Sequence, residues 1–380
     1  MLIRNATAYV DSEFRQTDIL IADGRIAKVG KGLDSKGEEI LDASGLVAFP
    51  GLIDMHVHFR EPGETWKEDF KSGGSAAVAG GYTLVYDMPN NVPKPTVTKG
   101  ALEEKKRLAA KSRCEVRFHF GATESNLQEV KEANPESLKM YLGMTTGNLL
   151  MQDEKSVAAH MKAFPKERQV FVHAEPREIG LAVGIAEKAK RKVHITHVPN
   201  EAVLGAAKKW KLATADVTPH HLFLCRSDFE DGDCRALVKP GLETIGAVSE
   251  LWTRLEEIDA VATDHAPHTL EDKRKGAFGF PGLETALSLF LDAYSKGMVD
   301  LGWIAKRFSE NPARIMGLKD YGRIGPGYVG NITLADLKRE WTVRGADFCS
   351  KSKWTPFEGK RLRGRAVKTI IRGETAFSLE

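Results

Sequence analysis

Asp54-Met55-His56-Val57-His58-Phe59-Arg60, preceded by Phe49-Pro50-Gly51-Leu52-Ile53, is the stretch on which the reading of the chain turns. Apolar Leu52, Ile53, Met55 and Val57 alternate with polar positions in a way that favours a β-strand over a helix. Successive strand side chains point to opposite faces, so His56 and His58 project together, and two adjacent imidazoles can hold one metal ion. Arg60 falls on the same face if the strand geometry persists, and a cation beside a metal pair points to an anionic substrate. The blander reading is a buried strand whose histidines are satisfied by backbone carbonyls. The other ligand-type residues decide between the two.

Working outward, the residues before Pro50 read as short strands: Leu2 to Val10, Thr17 to Ala22 and Arg25 to Val29, with Asp23-Gly24 marking a tight hairpin and Glu39 to Leu41 and Leu46 to Phe49 as further candidates. After Gly51 strand-like and helix-like runs alternate. Eight strand candidates follow: 52 to 57, Tyr82 to Asp87, Glu115 to Phe120, Ser137 to Leu142, Gln169 to His173, Lys192 to Thr196, Leu212 to Thr218 and Asp259 to Thr263. Helix-like stretches lie between them, among them Ala101 to Lys111, Glu154 to Phe164, Gly180 to Lys190, Glu201 to Lys209 and Ala247 to Glu256. This alternation predicts an α/β fold, a (β/α)8 TIM barrel whose site is built at the C-terminal ends of its strands. Gly325-Pro326-Gly327 marks a second boundary, beyond which Ile332 to Leu334, Trp341 to Val343 and Val367 to Ile371 read as strands. The expected organisation is therefore a barrel over 51–325, flanked by a small β-sandwich domain that residues 1–50 and 326–380 form together.

Composition narrows the function classes. The 380 residues are 42% hydrophobic and 28% charged, ordinary for a globular protein. Fifty-five basic residues nearly balance 52 acidic ones, leaving a net charge of +3, too mild to imply nucleic acid. Basic clusters at Lys105 to Arg107, Lys188 to Lys192 and Lys273 to Lys275 have acidic neighbours and read as solvated surface. Cys114, Cys225, Cys234 and Cys349 form no Cys-x-x-Cys pair, so free thiols in a reducing cytoplasm are expected. No apolar run approaches the roughly 20 residues that span a bilayer, and the first residues lack a signal-peptide layout, so a cytoplasmic protein is expected.

The metal reading is tested by where other ligand-type residues fall. His173 ends the fifth candidate strand, His197 follows the sixth and Asp264 the eighth, all where a barrel presents its chemistry. Each alone is more often structural. Together with His56 and His58 they make a set of imidazoles and a carboxylate suited to zinc, cobalt or manganese. Lys139, in Ser137-Leu138-Lys139-Met140-Tyr141-Leu142, is a lysine inside an apolar strand, where an unpaired ammonium is costly. It either snorkels, pairs with a carboxylate or, as a neutral amine, captures carbon dioxide to become an anionic carbamate able to bridge two cations.

His56-Val57-His58-Phe59-Arg60-Glu61-Pro62-Gly63, Asp87-Met88-Pro89-Asn90-Asn91, Lys139-Met140-Tyr141-Leu142, Pro219-His220-His221-Leu222, Asp264-His265-Ala266-Pro267-His268 and Gly279-Phe280-Pro281-Gly282-Leu283-Glu284-Thr285 together resemble dihydroorotase of the amidohydrolase superfamily. The Lys139 context and the last segment look closest to the dihydroorotase domain of the animal multifunctional pyrimidine enzyme. The resemblance implies two zinc ions per chain: His56 and His58 on the more buried one, His173 and His197 on the other, carbamylated Lys139 bridging them and Asp264 completing the first site. It implies that a hydroxide shared by the two ions opens the ring amide of dihydroorotate, with Asp264 passing a proton to the departing nitrogen. Run in reverse, N-carbamoyl-L-aspartate closes to L-dihydroorotate in pyrimidine biosynthesis. It further implies that Arg60, Asn90 and His268 bind the substrate carboxylate, that backbone at Phe278 and Gly279 meets the ring, and that Thr145 and Thr146 belong to a loop closing over it. A homo-oligomer and association with aspartate transcarbamoylase are the expected assemblies.

Two departures stand out. Lys239 stands where relatives place an arginine or asparagine, which keeps the charge but loses the planar fork. Thr196 replaces a cysteine that accompanies an extra metal in the animal-type domain, so a third metal is not expected. Allantoinase is the nearest competing reading, and Arg60 with Met88-Pro89-Asn90-Asn91 favours dihydroorotate over it. A catalytically silent structural partner of aspartate transcarbamoylase is the other, and retention of every ligand position together with Arg60 argues against it.

Overall fold

The computed structural model describes residues 1–35, 37–144 and 147–379. The two ends of the chain meet in one eight-stranded sheet. Its order runs Glu374–Ser378, Arg361–Ile371, Ile332–Thr342, Val47–Pro50, Leu2–Val10, Glu13–Ala22, Arg25–Gly30, with Ile40–Asp42 paired in parallel to Leu2–Val10. The join is antiparallel, Ile332 opposite Pro50 and Thr333 opposite Phe49. The Asp23-Gly24 hairpin is present, with both residues at positive φ (52° and 73°) as a type I′ turn requires. Ile3, Ile19, Ile332 and Ile370 pack into this sheet's own apolar cluster.

Between these ends lie two parallel sheets. One orders Leu52–Val57, Tyr82–Asp87 and Glu115–Phe118; the other orders Phe120–Gly121, Ser137–Tyr141, Gln169–His173, Val193–Ile195, Ala213–Val217 and Ala260–Val261. Every residue of Leu52–Val57, Tyr82–Asp87, Ser137–Tyr141 and Gln169–His173 is buried, the signature of parallel strands covered on both faces. The sheets touch at both margins. His119, between Phe118 and Phe120, donates its N–H to Asp87 O (3.0 Å), and Ala122 N–H reaches Lys139 O (2.9 Å). At the other margin Val57 bridges His265 in parallel, and His58 N–H donates to His265 O (2.8 Å). Capped helices fill the connections: Thr98 opens Lys99–Ala109, Asp153 opens Glu154–Ala163 and Asn200 opens Glu201–Ala207, each side chain accepting a backbone N–H of the first turn.

Three expectations need correction and one strand is added. The candidate Glu115 to Phe120 breaks at His119 into Glu115–Phe118 and Phe120–Gly121, which fall in different sheets. The last parallel strand is only Ala260–Val261, because the chain turns into a left-handed conformation at Asp264 (φ 46°). The runs at Ile332 and Trp341 are one strand, Ile332–Thr342; a bulge past Asp336, whose carboxylate accepts the N–H groups of Lys338 and Arg339, carries the exposed polar residues through. The edge strand Glu374–Ser378 was not foreseen, since its mixed polarity lacks strand alternation. Among the described residues no helix is long and apolar enough to cross a membrane, and no two cysteines are bonded.

Candidate metal centre and substrate pocket

His56 lies in Leu52–Val57 and His58 one step past it, and their Nε2 atoms stand 3.2 and 3.1 Å from the same oxygen of Asp264. Buried Asp54 fastens this arrangement across the seam. Its carboxylate accepts His56 N–H (3.0 Å), Thr263 N–H (3.2 Å) and the Thr263 hydroxyl (2.5 Å), so the strand carrying the histidines and the turn carrying Asp264 share one anchor. His56, His58 and Asp264 each offer a ligand atom within 4.8 Å of the others. His173 ends Gln169–His173 and His197 follows Val193–Ile195; they make a second pair, His173 Nδ1 to His197 Nε2 at 2.9 Å. The His56 ring lies 5.3 Å from that of His197, which joins the two groups into one cluster.

Lys139, fully buried, points its ammonium at this cluster and donates to Thr196 Oγ1 (3.0 Å). Thr196 thus has a visible task where the resemblance led one to look for a cysteine. Burial pushes the Lys139 amine down to about 7, against the pull of Asp216 and Asp264. Burial likewise raises the Asp264 carboxyl to about 7, opposed by Lys139 and Arg60. Burial, reinforced by the Lys139 charge, holds His56 well below its ordinary range and His173 down at about 3. His58 and His197 are also depressed, first by burial and then by Arg60 and His173 respectively. Neutral imidazoles keep a lone pair for a cation, so this donor set fits a divalent metal. Buried His56 Nδ1 has no hydrogen-bond partner among the described residues, a further mark of a ring kept for something other than packing.

One cavity opens onto the cluster. His56, His58, His173, His197 and Asp264 line it together with Arg60, Asn90, Lys239, Phe278 and Gly279. Arg60 reaches this wall by a route other than strand alternation: the strand ends at Val57, and Arg60 sits at φ 61°. His197 and Asp264 are also left-handed (φ 42° and 46°), so three pocket residues hold sparsely populated backbone conformations, a pattern concentrated at functional sites. Arg60 Nη2 donates to His268 Nε2 (3.0 Å) and Nε to Pro267 O (3.4 Å). The same His268 nitrogen also lies 3.0 Å from Phe278 O, so it stands between the Arg60 donor and a carbonyl of the cavity loop, and burial together with the Arg60 charge depresses the ring's pKa. His268 therefore backs Arg60 and is not part of the cavity wall. Gly279 is required where it stands: at φ 135°, a Cβ would meet Ala266 O at 2.5 Å. Lys239 Nζ lies 4.7 Å from the centre of the Phe278 ring.

Thr145 and Thr146 lie outside the described residues. Tyr141 and Ala266 line the cavity and were not singled out from the sequence. Tyr141 is two residues beyond Lys139 on one strand, and that spacing is the signal that would have found it. His221 is occupied by Thr218 Oγ1 (2.7 Å) and Pro240 O (3.1 Å), a buried structural histidine.

The amidohydrolase family model matches residues 47–376. The dihydroorotase of Pyrococcus abyssi is 35% identical over 369 residues, covering 93% of this chain and 89% of that protein. Multifunctional protein CAD of Squalus acanthias is 39% identical over 341 residues, covering 87% of this chain but only 15% of that much longer protein. Among solved structures, L-hydantoinase (dihydropyrimidinase) from Arthrobacter aurescens superposes over 100% of this chain and 96% of its own, with a TM-score of 0.92 at 23% identity, and so shares the fold. Family model, relatives and pocket converge, and the chain belongs to the amidohydrolase family, alongside its dihydroorotases.

Proposed function

We propose that this protein is a dihydroorotase, interconverting L-dihydroorotate and N-carbamoyl-L-aspartate in pyrimidine biosynthesis. The observation that carries the reading is the entry of the Arg60 guanidinium into the same cavity as His56, His58 and Asp264. A reader of carboxylates beside a metal-type donor set suits a cyclic amide that bears one carboxylate. Relatives named dihydroorotase, matched along nearly their whole length, support the same activity.

His56, His58 and Asp264 would hold one divalent ion, His173 and His197 a second, with Lys139 between them. Zinc suits these donors. When bound, such a pair supplies Lewis acidity and a water acidic enough to be deprotonated near neutral pH. The chain's own residues do the remainder. Arg60 and Asn90 bind the carboxylate, His268 buttresses Arg60, and the peptide groups at Phe278 and Gly279 face the ring. Lys239 keeps a positive charge at the cavity wall. Asp264, its carboxyl raised to about 7, takes a proton from the attacking water and delivers it to the ring nitrogen as the C–N bond breaks. Lys139, lowered to about 7 and so partly present as the neutral amine, attacks the carbon of CO2 through its Nζ lone pair; one C–O bonding pair moves onto oxygen and the nitrogen releases one proton to water, so that the neutral amine becomes a carbamate anion.

The two parallel sheets, touching at both margins, are proposed as a closed (β/α)8 barrel over 51–325, and the terminal sheet as the small β-sandwich domain built from 1–50 and 326–380. A cytoplasmic enzyme that forms a homo-oligomer and associates with aspartate transcarbamoylase completes the reading; relatives named as multifunctional proteins support such an assembly. Metal content and turnover measured together on freshly purified protein test it. About two divalent ions per chain, with dihydroorotate opened and allantoin ignored, is the expected result. Loaded protein inert towards dihydroorotate would overturn the substrate.

A further inference from the structure

Asp87 ends the strand Tyr82–Asp87, and its buried carboxylate stands between the two segments that carry Arg60 and Asn90. One oxygen accepts the N–H of Phe59, the residue before Arg60, at 2.7 Å. The other lies 2.5 Å from Lys105 Nζ, which rises from the helix Lys99–Ala109. The same ammonium donates to Met88 O (2.6 Å) and Asn91 Oδ1 (2.7 Å), on either side of Asn90. Asn91 then returns to the first segment, its Nδ2 donating to Pro62 O (3.3 Å). The ammonium thus donates to both sides of Asn90 and forms an ion pair with the Asp87 carboxylate.

Lys105 was expected to be a solvated surface lysine. Its side chain is instead 0% exposed, and that of Asp87 1%. A buried ion pair adds little net stability over apolar residues of the same shape, because desolvation offsets the attraction. What this one adds is geometry: it ties together two loops joined at their base by Met88 N–H to Val57 O (2.8 Å), one of which holds Arg60 in a left-handed conformation that persists only where its surroundings over-determine it.

We propose that Lys105, through Asp87 and Asn91, is the positioning residue that sets Arg60 and Asn90 at the spacing a substrate carboxylate requires. The proposal rests on the reading of Arg60 and Asn90 as the carboxylate binders. Lys105 does not line the cavity and touches no reacting atom.

The test uses metal-loaded Lys105→Met and, should the unpaired Asp87 carboxylate prevent folding, Lys105→Met with Asp87→Asn, which removes both charges and keeps an acceptor for Phe59 N–H. Expected is a KM for dihydroorotate raised at least tenfold with kcat within threefold and metal content unchanged. Amides of Phe59, Arg60, Glu61, Met88, Asn90 and Asn91 should exchange hydrogen at least tenfold faster, with the rest of the chain unaltered. An unchanged KM in a folded variant overturns the proposal. So does a kcat that falls at constant KM, which signals only a smaller active fraction. Wild-type protein that binds orotate no more tightly than uracil would instead overturn the carboxylate reading, and exchange at the two segments would then pass or fail the clamp by itself.

Discussion

Arg60 donates to His268 and Pro267 on one side and opens to the cavity on the other, so part of its guanidinium is committed and part is free for a ligand. Charge-assisted pairs of this kind contribute about 1.5–3 kcal/mol. Arg60→Ala should therefore raise the KM for dihydroorotate roughly tenfold to a hundredfold at unaltered metal content; steady-state kinetics beside metal analysis checks it, and an unchanged KM would remove Arg60 from substrate binding. Asp264 makes a different claim. Burial pushes its carboxyl up from the ordinary range, against Lys139 and Arg60, and so favours proton uptake at this position. Asp264→Asn keeps the shape and loses the proton, so turnover should drop by roughly two to four orders of magnitude. Near-wild-type turnover with metals in place would end the proton-transfer role.

At the scale of elements, the pocket is built from turns that follow strands more than from the strands themselves. His58, Arg60, His197 and Asp264 all lie just beyond the last strand residue. The Phe278-Gly279 segment is held by Gly279 N–H to Leu237 O (3.0 Å) and presses against Ala266 O so closely that no side chain fits. Gly279→Ala should displace this loop, at a cost of about 1–3 kcal/mol in stability and with weaker dihydroorotate binding at unchanged metal content. Thermal unfolding and KM report the two effects separately, and an alanine variant normal in both would show that the loop yields freely.

For the whole molecule, the decisive property is how many ionisable groups the fold buries uncharged. Burial takes His119 and His173 to about 3 and His221 to about 4, and His56, His197 and His220 well below their ordinary range. Each of these folded values lies under the unfolded value of about 6.5. Their contribution to stability is thus complete above that pH and is lost as pH falls below it, where only the unfolded chain takes up protons. Asp54, Asp264 and Glu284, raised to about 7, act in the opposite sense over the same range, but these histidines outnumber them. The melting temperature should fall by several degrees from pH 7 to pH 5; a flat profile would mean that the histidines are not buried neutral. Chelation should lower it further at pH 7, since a metal held only by the folded state stabilises that state by mass action.

Much of this was legible in the chain alone. Leu52–Val57, Tyr82–Asp87 and Gln169–His173 were readable to the residue because runs of buried β-branched and aromatic side chains leave few other options. The ligand-type residues were legible because they recur at strand ends. Three things waited for tertiary structure. Lys105 looked like solvent-facing surface, because local charge pattern cannot report that a helix turns one lysine inward onto Asp87. Ala266 became a pocket residue only when its loop closed on the cavity, since no spacing in the sequence marks it. Arg60, expected on the histidine face by alternation, arrives there through a left-handed turn; alternation carries direction only while a strand lasts, and beyond it long-range contacts set where a side chain points.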